Sequence, residues 1–384
     1  MKFPIYLDYH STTPVDPRVL EQMLPFFTQK FGNSESKSHP FGWEAEEAVS
    51  KARLQVAQIL GATPSEIIFT AGTTESINLA FTGIVEKNHE KKNHIITAVT
   101  EHKATLETCK ALEKKGVKIT YLPVDAEGLV SPDDVKKAIT PQTLLISLLV
   151  AHNEVGTIYP VAEIGKLARE AEIFFHVDAA QAVGKIPVDV EAMYIDLLSF
   201  SAHKMYGPKG VGALYCRKKN PTVRLEPLLR GGAHEQGLRP GTLNVPGIVG
   251  LGKACEIASA DMTEESLRLK NLRDRLYQKI IKELKDVYLN GHPTKRLSHN
   301  LNLSFKGVRA DAMMMDMKEV ALSSGSACSS ANPEPSYVLR AMGRDKELAQ
   351  CSIRFGLGRF NTEEEIDYVA EKVIKVIQKR REQS

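Results

Sequence analysis

Short apolar runs rich in β-branched residues alternate with amphipathic helical stretches from about residue 44 to residue 216. The expected strands are Ile67–Thr70, Ile95–Ala98, Lys118–Leu122, Leu144–Val150, Ile173–Val177, Leu197–Ser199 and Val211–Tyr215. The expected helices between them include Trp43–Leu60, Thr74–Val85, His102–Lys114 and Val161–Ala171. This alternation predicts an α/β fold whose mostly parallel, seven-stranded sheet is covered by helices on both faces. Ligands bind at the carboxyl ends of the strands in such sheets, so residues that follow strands are the first candidates for a site.

The pattern changes after Gly250, where a long helical stretch, Met262–Leu284, is dense in Glu, Lys, Arg and Leu. Three shorter strands are expected next, at His299–Phe305, Val320–Ser323 and Ser352–Gly356. The last expected helix is Thr362–Lys379. Thr362 and Glu365 have the spacing of a capping box for that last helix. We therefore expect a large domain over residues 15–260 and a smaller α+β domain over residues 261–384. Residues 1–14 could pack on either domain, and we place them with the small one.

The composition excludes several classes of protein. Hydrophobic residues make up 42% and charged residues 25% of the 384 residues, which is ordinary for a globular protein and excludes a disordered, fibrous or coiled-coil chain. Lys and Arg total 50 against 47 acidic residues, so the net charge of +3 gives no case for nucleic-acid binding. The longest apolar run, Leu144–Ala151, is far shorter than the ~20 residues that cross a bilayer. The N-terminus has no recognisable targeting segment.

The five cysteines are scattered along the chain and odd in number, which does not suit a disulfide framework. No pair of them has the CxxC spacing of a zinc site or of a thioredoxin-type redox motif. We therefore expect no metal, and a reducing, cytoplasmic compartment is the simplest interpretation.

An acid and a lysine follow neighbouring expected strands. Asp178 ends the run HVD before two small residues, where it could equally cap a helix. Lys204, in SFSAHKMYGPKG, could be a solvated loop lysine, but a lysine amine also forms Schiff bases with pyridoxal phosphate. Taken together, the acid can protonate a pyridine nitrogen while the lysine holds the aldehyde of the same ring. Ser201 and His203, just upstream, could hydrogen-bond a phosphate.

Other polar residues follow expected strands as well. Thr73 and Thr74 open a helix after Ile67–Thr70, where free backbone N–H groups attract anions, although an ordinary threonine cap would look the same. His102 could stack on a cofactor ring or move protons, but most single histidines are structural. Asn153 ends the most apolar strand and offers both a donor and an acceptor. So many candidates at strand ends seldom coincide by chance.

The smaller domain contributes two further candidates. Cys328 lies in SSGSACSS, a Ser/Gly-rich stretch that predicts an exposed loop, whereas buried structural cysteines prefer apolar neighbours. An exposed thiol of this kind suits a nucleophile that takes a group at one site and delivers it at another. Arg354, in SIRFGLGRF, could form a bidentate pair with a substrate carboxylate, or could be a surface arginine on a strand.

These motifs together resemble the NifS/IscS-like cysteine desulfurases, which are class-V aminotransferases of fold type I and use pyridoxal 5'-phosphate. The resemblance runs from YLDYHSTTPVDPRV at residues 6–19 to RFNTEEEIDYV at residues 359–369. Its most specific pieces are TEHKA, HNEVG, HVDAAQ, SFSAHKMYGPKGVGALY, RPGT and SSGSAC. The motif SSGSAC is similar to the motif of those cysteine desulfurases whose reactive cysteine lies on a long loop. Small departures are Ala202 where glycine is common, Thr73 where alanine is common, and Ile77 in place of a polar residue.

The resemblance implies a role for each matching residue. The residues implied to bind the cofactor are Lys204, Asp178, Gln181, His102, Thr73, Thr74, Asn153, Ser201, His203 and Thr242. Lys204 would hold the cofactor as a Schiff base, and Asp178 would pair with its pyridinium nitrogen. Gln181 would bond to the phenolic oxygen, and His102 would stack on the ring. Thr242 would reach the phosphate from the partner subunit, which implies a homodimer.

The implied activity is removal of sulfur from L-cysteine, with Lys204, His102 and Cys328 as the catalytic residues. The substrate carboxylate would be held by Asn153 and Arg354 with help from Asn33. Alanine would be released, and the sulfur would remain as a persulfide on Cys328. An acceptor protein, such as an iron–sulfur scaffold or a component of another thiolation pathway, would then take the sulfur. Iron–sulfur-assembly members often continue beyond the last helix to dock that scaffold, whereas this chain stops at Ser384.

Two alternatives remain open on the sequence. One is another fold-type I enzyme, such as a selenocysteine lyase or an aminotransferase, which needs no cysteine near the ring. The other is a non-catalytic sulfur-delivery or assembly partner that keeps the fold. The presence of Lys204, Asp178, His102 and Cys328 argues against the second alternative.

Overall fold

A computed structural model describes residues 2–88, 91–324 and 335–383. Its strands are β1 Ile5–Tyr6, β2 Ile67–Thr70, β3 His94–Ala98, β4 Lys118–Leu122, β5 Thr143–Leu149, β6 Phe174–Asp178, β7 Leu197–Ser201, β8 Gly212–Cys216, β9 Val287–Asn290, β10 Asn300–Phe305, β11 Val320–Ala321 and β12 Ser352–Gly356. Its helices are α1 Pro17–Met23, α2 Pro25–Thr28, α3 Pro40–Leu60, α4 Thr73–Asn88, α5 Lys103–Glu113, α6 Pro132–Ala138, α7 Val161–Glu170, α8 Val245–Glu283, α9 Ala310–Asp316, α10 Tyr337–Ala341, α11 Lys346–Gln350 and α12 Glu363–Glu382.

The seven strands β2 to β8 form one sheet in the order β2-β8-β7-β6-β5-β3-β4. The five strands from β7 to β4 pair in parallel, and β8 pairs antiparallel with both β7 and β2. Every residue of β5 and β7 is buried, as expected for strands that are covered by helices on both faces. The predicted α/β fold with a mostly parallel, seven-stranded sheet is confirmed, and each strand of that sheet is within two residues of its expected bounds.

The C-terminal part of the chain builds separate β structure. Strands β9, β10 and β12 form an antiparallel sheet, and β1 pairs in parallel with β11. Ile5 and Leu7 pack in the same apolar cluster as residues from α8, β10, β12 and α12. The capping box of α12 is present, since Thr362 accepts from the backbone N–H of Glu365 and its own N–H donates to that side chain. The domain boundary at residue 260 stays a prediction.

Helix α8 is longer than the sequence pattern predicted, because it begins at Val245 and not at Met262. Gly247, Gly250 and Gly252, near the start of α8, interrupted the helical pattern of large apolar residues. A Cβ on Gly250 would lie 2.6 Å from the Met23 sulfur, and one on Gly252 would lie 2.6 Å from the Cα of Ala52. The glycines therefore let α8 approach α1 and α3 closely. The first half of α8 packs in the core beneath the large sheet. Its second half packs in the apolar cluster that also contains Ile5 and Leu7.

Within the described ranges, no helix combines the length and the apolar character needed to cross a bilayer. The four cysteines that the structure describes, Cys109, Cys216, Cys255 and Cys351, are buried and form no disulfide.

Candidate functional site

A cavity of about 790 Å³ opens at the carboxyl ends of β5, β6 and β7, beside the first turn of α4. Most of the predicted site residues line it, namely Thr73, Thr74, His102, Asn153, Asp178, Gln181, Ser201, His203, Lys204 and Arg354. Parallel strands bring these residues together because their carboxyl ends meet at one edge of the sheet.

Two predicted residues do not line this cavity in the described chain. Asn33 and Thr242 are exposed and are absent from the cavity wall. The Asn33 side chain accepts a hydrogen bond from the backbone N–H of Glu35 at 3.0 Å. Cys328 lies outside the described residues. The roles of these three residues stay predictions.

Lys204 lies in a single 3-10 turn directly after β7. Its Nζ donates to two backbone carbonyl oxygens, that of His10 at 2.6 Å and that of Ser11 at 2.8 Å. The N-terminal segment therefore holds the amine at the cavity wall. A lysine in this setting is positioned to react with a carbonyl group in the cavity.

Asp178 ends β6 and is buried, next to the cavity floor. One of its oxygens, Oδ1, accepts from the backbone N–H of Ala180 at 2.9 Å, so the residue also stabilises the local turn. Burial raises the pKa of the Asp178 carboxyl, and the Ala180 hydrogen bond, His102 and Lys204 lower it. A cationic group bound in the cavity would favour the carboxylate further, because it adds an opposite charge.

His102 caps the N-terminus of α5, where its Nδ1 accepts from the backbone N–H of Ala104 at 3.1 Å. In the neutral ring the proton must then lie on Nε2. Desolvation lowers the pKa of His102, Lys204 and Lys103 lower it further, and Asp178 raises it. Both the cap and the lowered pKa favour a neutral imidazole with an N–H donor at Nε2.

The first turn of α4 forms a wall of the cavity that is suited to an anion. The backbone N–H groups of a first helical turn have no acceptor within the helix. Thr73 Oγ1 is buried and has no hydrogen-bond partner among the described residues. The cavity lining also includes Ser201, Lys209 and His203, whose ring Nδ1 is 3.1 Å from Thr12 Oγ1. Burial, with Lys204 and Lys209, lowers the pKa of His203 to about 4, so its ring is neutral at pH 7. These groups fit a phosphate ester.

Arg354 approaches the cavity from β12 and is buried. Its Nη1 donates to the backbone oxygen of Asn153 at 2.9 Å, and its Nη2 donates to Asp8 at 2.7 Å and to Ser11 Oγ at 2.9 Å. Its Nε, in contrast, is buried without a partner in the described part of the chain. A guanidinium held this rigidly suits a small carboxylate.

The sequence analysis missed the contribution of His10, Ser11 and Thr12 to the cavity wall. These residues follow β1, which belongs to the small two-stranded sheet and not to the large one. The rule that sites follow the strands of the main sheet therefore could not find them. The available signals were the polar run HSTT after IYLDY and the motif YLDYHSTTPVDPRV, to which no role was assigned.

Comparison with known proteins settles the family. The family model described as aminotransferase class-V matches residues 5–369. The chain belongs to the aminotransferase class-V family. This family and its fold confirm the resemblance drawn from the motifs. Enzymes of the family use pyridoxal phosphate, and the orphaned Thr73 hydroxyl, Lys204 and Asp178 fit the phosphate, aldehyde and ring nitrogen of that cofactor.

The chain is similar along its length to a named cysteine desulfurase and to solved structures of related proteins. A cysteine desulfurase IscS of Rickettsia conorii (strain ATCC VR-613 / Malish 7) is 55% identical over 384 residues, which is 100% of this chain and 93% of the relative. A solved NifS-like protein is 40% identical with a TM-score of 0.91, covering 97% of this chain and 99% of that chain. A solved structure of SspA in complex with cysteine is 40% identical with a TM-score of 0.82, covering 93% of this chain and 100% of that chain.

Proposed function

We propose that this class-V family member is a pyridoxal-phosphate-dependent cysteine desulfurase that converts L-cysteine to L-alanine and leaves the sulfur on Cys328. The observation that carries the proposal is the shared cavity of Lys204 and Asp178, which lie at the ends of the paired strands β7 and β6. The full-length similarity to proteins named cysteine desulfurase supports the choice of substrate.

The cofactor would be held by three groups of residues in this cavity. Lys204 would attach covalently to its aldehyde carbon, and Asp178 and Gln181 would contact the ring. Thr73, Thr74, Ser201 and His203 would bind the phosphate. When bound, pyridoxal phosphate supplies an electron sink that stabilises negative charge on the substrate α-carbon.

Lys204 and His102 are the proton carriers that the chain supplies. The freed amine of Lys204 is the base that accepts the α-proton of L-cysteine, and the carbonyls of His10 and Ser11 orient it. His102, neutral and with its proton on Nε2, is suited to donate that proton to an intermediate of the reaction. Burial raises the pKa of the Asp178 carboxyl, and a cationic ring held beside it would favour the carboxylate form.

Sulfur transfer requires a thiolate, and Cys328 is the proposed nucleophile. Burial raises the pKa of both Cys109 and Cys216 to about 12, and it also raises the pKa of Cys255 and Cys351. These four thiols are therefore protonated at pH 7 and do not attack. The Cys328 thiolate forms a bond to the substrate sulfur, the Cβ–Sγ bond breaks with its electrons on carbon, and Cβ takes up a proton. L-cysteine and one thiol thus give L-alanine and one persulfide.

Arg354 is the proposed carboxylate-binding residue, and we expect Arg354→Lys to raise the KM for L-cysteine by about 10- to 100-fold. Lysine keeps the charge but loses the planar set of N–H donors, and a charge-assisted hydrogen bond contributes about 1.5–3 kcal/mol. Steady-state kinetics with varied L-cysteine measure the change. Arg359→Lys is the control, because Arg359 is also largely buried but pairs with Asp16 and Glu265 outside the cavity. An unchanged KM in Arg354→Lys contradicts the assignment.

A homodimer and a sulfur-acceptor protein are the proposed partners, with the cytoplasm as the proposed compartment. The surface from α1 to α3 exposes the large apolar side chains Leu24, Phe27, Phe31, Phe41 and Trp43. Exposed apolar side chains in such number suit an interface with a second copy of the chain. Thr242 of the partner subunit would then contribute to the phosphate site. The acceptor, such as an iron–sulfur scaffold, would take sulfur by thiol exchange.

The proposed function is tested by incubating the purified protein with L-cysteine, pyridoxal phosphate and a thiol reductant. We expect equal amounts of alanine and sulfide, because each turnover releases one alanine and reduction of the persulfide frees one sulfide. Pyruvate in place of alanine, or turnover of amino acids without sulfur at comparable rates, would instead identify another enzyme of the same fold. A protein that binds the cofactor and forms no product contradicts the proposal.

A further inference from the structure

His10 is a buried histidine in the cavity wall, only 1% exposed, whose side chain the proposed reaction does not use. It lies between two side-chain amides. Its Nδ1 is 2.9 Å from Gln181 Oε1, and its Nε2 is 3.1 Å from Asn300 Nδ2. The direction of each hydrogen bond follows from groups that can only donate or only accept.

The outer amide, that of Asn300, is fixed by two such groups. Its Oδ1 accepts from the guanidinium of Arg296 at 3.0 Å, and a guanidinium can only donate. Its Nδ2 donates to the backbone oxygen of Glu154 at 3.2 Å, and a carbonyl can only accept. Asn300 Nδ2 therefore donates to His10 Nε2, and the proton of the neutral His10 ring is on Nδ1.

The inner amide, that of Gln181, is fixed in turn by His10. The Nδ1–H of His10 donates to Gln181 Oε1, and Gln181 Nε2 donates to the backbone oxygen of His10 at 3.0 Å. One residue thus engages the oxygen and one hydrogen of the same planar amide. The second hydrogen of Nε2 is left on the side away from His10, and Gln181 lines the cavity.

The His10 ring is held neutral by its surroundings. It stacks on the ring of His299, with centroids 4.4 Å apart and planes inclined by 23°. Burial lowers the pKa of His10 well below its usual value, Arg354, Lys204 and Lys185 lower it further, and the Gln181 hydrogen bond raises it. A neutral ring with a single proton can orient an amide in one direction only.

We propose that His10 is a positioning residue that turns the Gln181 amide so that an N–H donor, and not an oxygen, faces the group bound in the cavity. The inference rests on the proposed function, in which that group is the phenolic oxygen of pyridoxal phosphate. A donor stabilises the negative charge of that oxygen, whereas an amide oxygen would repel it. Without the Nδ1–H of His10, Gln181 Oε1 loses its donor, and the hydrogen bond from Gln181 Nε2 to the His10 backbone oxygen alone holds the amide.

The test compares the pH titration of the visible absorbance band of the bound cofactor in the wild-type holoprotein and three variants. His10→Phe keeps an aromatic ring against His299 but has no N–H, so the phenolic oxygen becomes more basic. We expect the midpoint to rise by on the order of one pH unit. His10→Asn can still donate to Gln181 and restores the wild-type midpoint. His299→Phe keeps the stacking without touching Gln181 and leaves the midpoint unchanged.

A wild-type midpoint in a folded His10→Phe protein overturns the proposal, and so does a shift of equal size in His299→Phe. A second measurement does not depend on any variant. Nitrogen-15 NMR of histidine-labelled wild-type protein is expected to report the His10 proton on Nδ1, and a proton on Nε2 would refute the mechanism. If the wild-type protein shows no cofactor band at all, the proposed function fails, while the NMR result still decides the orientation of the His10–Gln181 pair.

Discussion

Lys204→Ala is expected to reduce alanine formation from L-cysteine by at least about 10³-fold. The variant loses both the covalent attachment of the cofactor and the base that accepts the α-proton, and a positioned base alone contributes about 10²–10⁴-fold. The readouts are alanine release and the fate of the cofactor. After borohydride reduction the wild-type protein should carry the cofactor on the peptide that contains Lys204, whereas the variant should lose its cofactor on dialysis.

The control for this experiment is Lys166→Ala. Lys166 is an exposed lysine of α7 that pairs only loosely with Glu170, at 3.9 Å, and it is not part of the cavity lining. The Lys166→Ala variant should form alanine at a rate within about twofold of wild type, because exposed ion pairs contribute little to stability. Covalently bound cofactor on any lysine other than Lys204 would show that the site has been assigned to the wrong residue.

Cys328→Ser is expected to abolish alanine formation while leaving the absorbance of the bound cofactor unchanged. A serine hydroxyl does not ionise near pH 7 and cannot form a persulfide, so the sulfur has no acceptor. We expect a loss of at least about 10³-fold, equivalent to about 4 kcal/mol of transition-state stabilisation. Mass spectrometry of the wild-type protein after one turnover without reductant should show one added sulfur atom on the Cys328 peptide.

Cys109→Ala is the matched control, because burial raises the pKa of the Cys109 thiol to about 12 and the residue lies outside the cavity lining. It should retain alanine formation and the persulfide on Cys328. Wild-type rates of alanine formation in Cys328→Ser would instead show that the chain processes the substrate without a protein thiol. An aminotransferase or a selenocysteine lyase would then explain the cavity better.

The strands of the large sheet were predictable because each is a short buried run between clear helical patterns. Strand β2, for example, has the bounds expected from the sequence, and β5 differs from its expected bounds by one residue at each end. The same periodicity placed Asp178 and Lys204 at strand ends, which is why the cavity could be anticipated. Strand β9 and the first half of α8 were missed. The first is a four-residue edge strand, and the second contains glycines that serve close helix packing.

The N-terminal wall of the cavity could not be predicted for a different reason. His10 and Ser11 act partly through their backbone oxygens, which carry no residue-specific signal in a sequence. Their position depends on the pairing of β1 with β11, two strands that are more than 300 residues apart in the chain. A residue pattern read in short windows cannot report contacts of this range. The roles of Asn33 and Thr242 likewise do not follow from short sequence patterns. They depend on the resemblance and stay predictions.

Residues 7–9, which follow β1, pair with β12 near the other end of the chain. This pairing has a consequence for biosynthesis. Gly356 N–H donates to the Leu7 oxygen at 2.7 Å, Tyr9 N–H donates to the Gly356 oxygen, and Arg354 pairs with Asp8. At about 5–20 residues per second, a ribosome needs roughly 20 to 70 s to reach β12 after making residues 7–9. We expect the large sheet to assemble during that interval while the segment that holds Lys204 remains undocked. Cofactor capture is then a late event in the life of each nascent chain, because it follows the synthesis of β12.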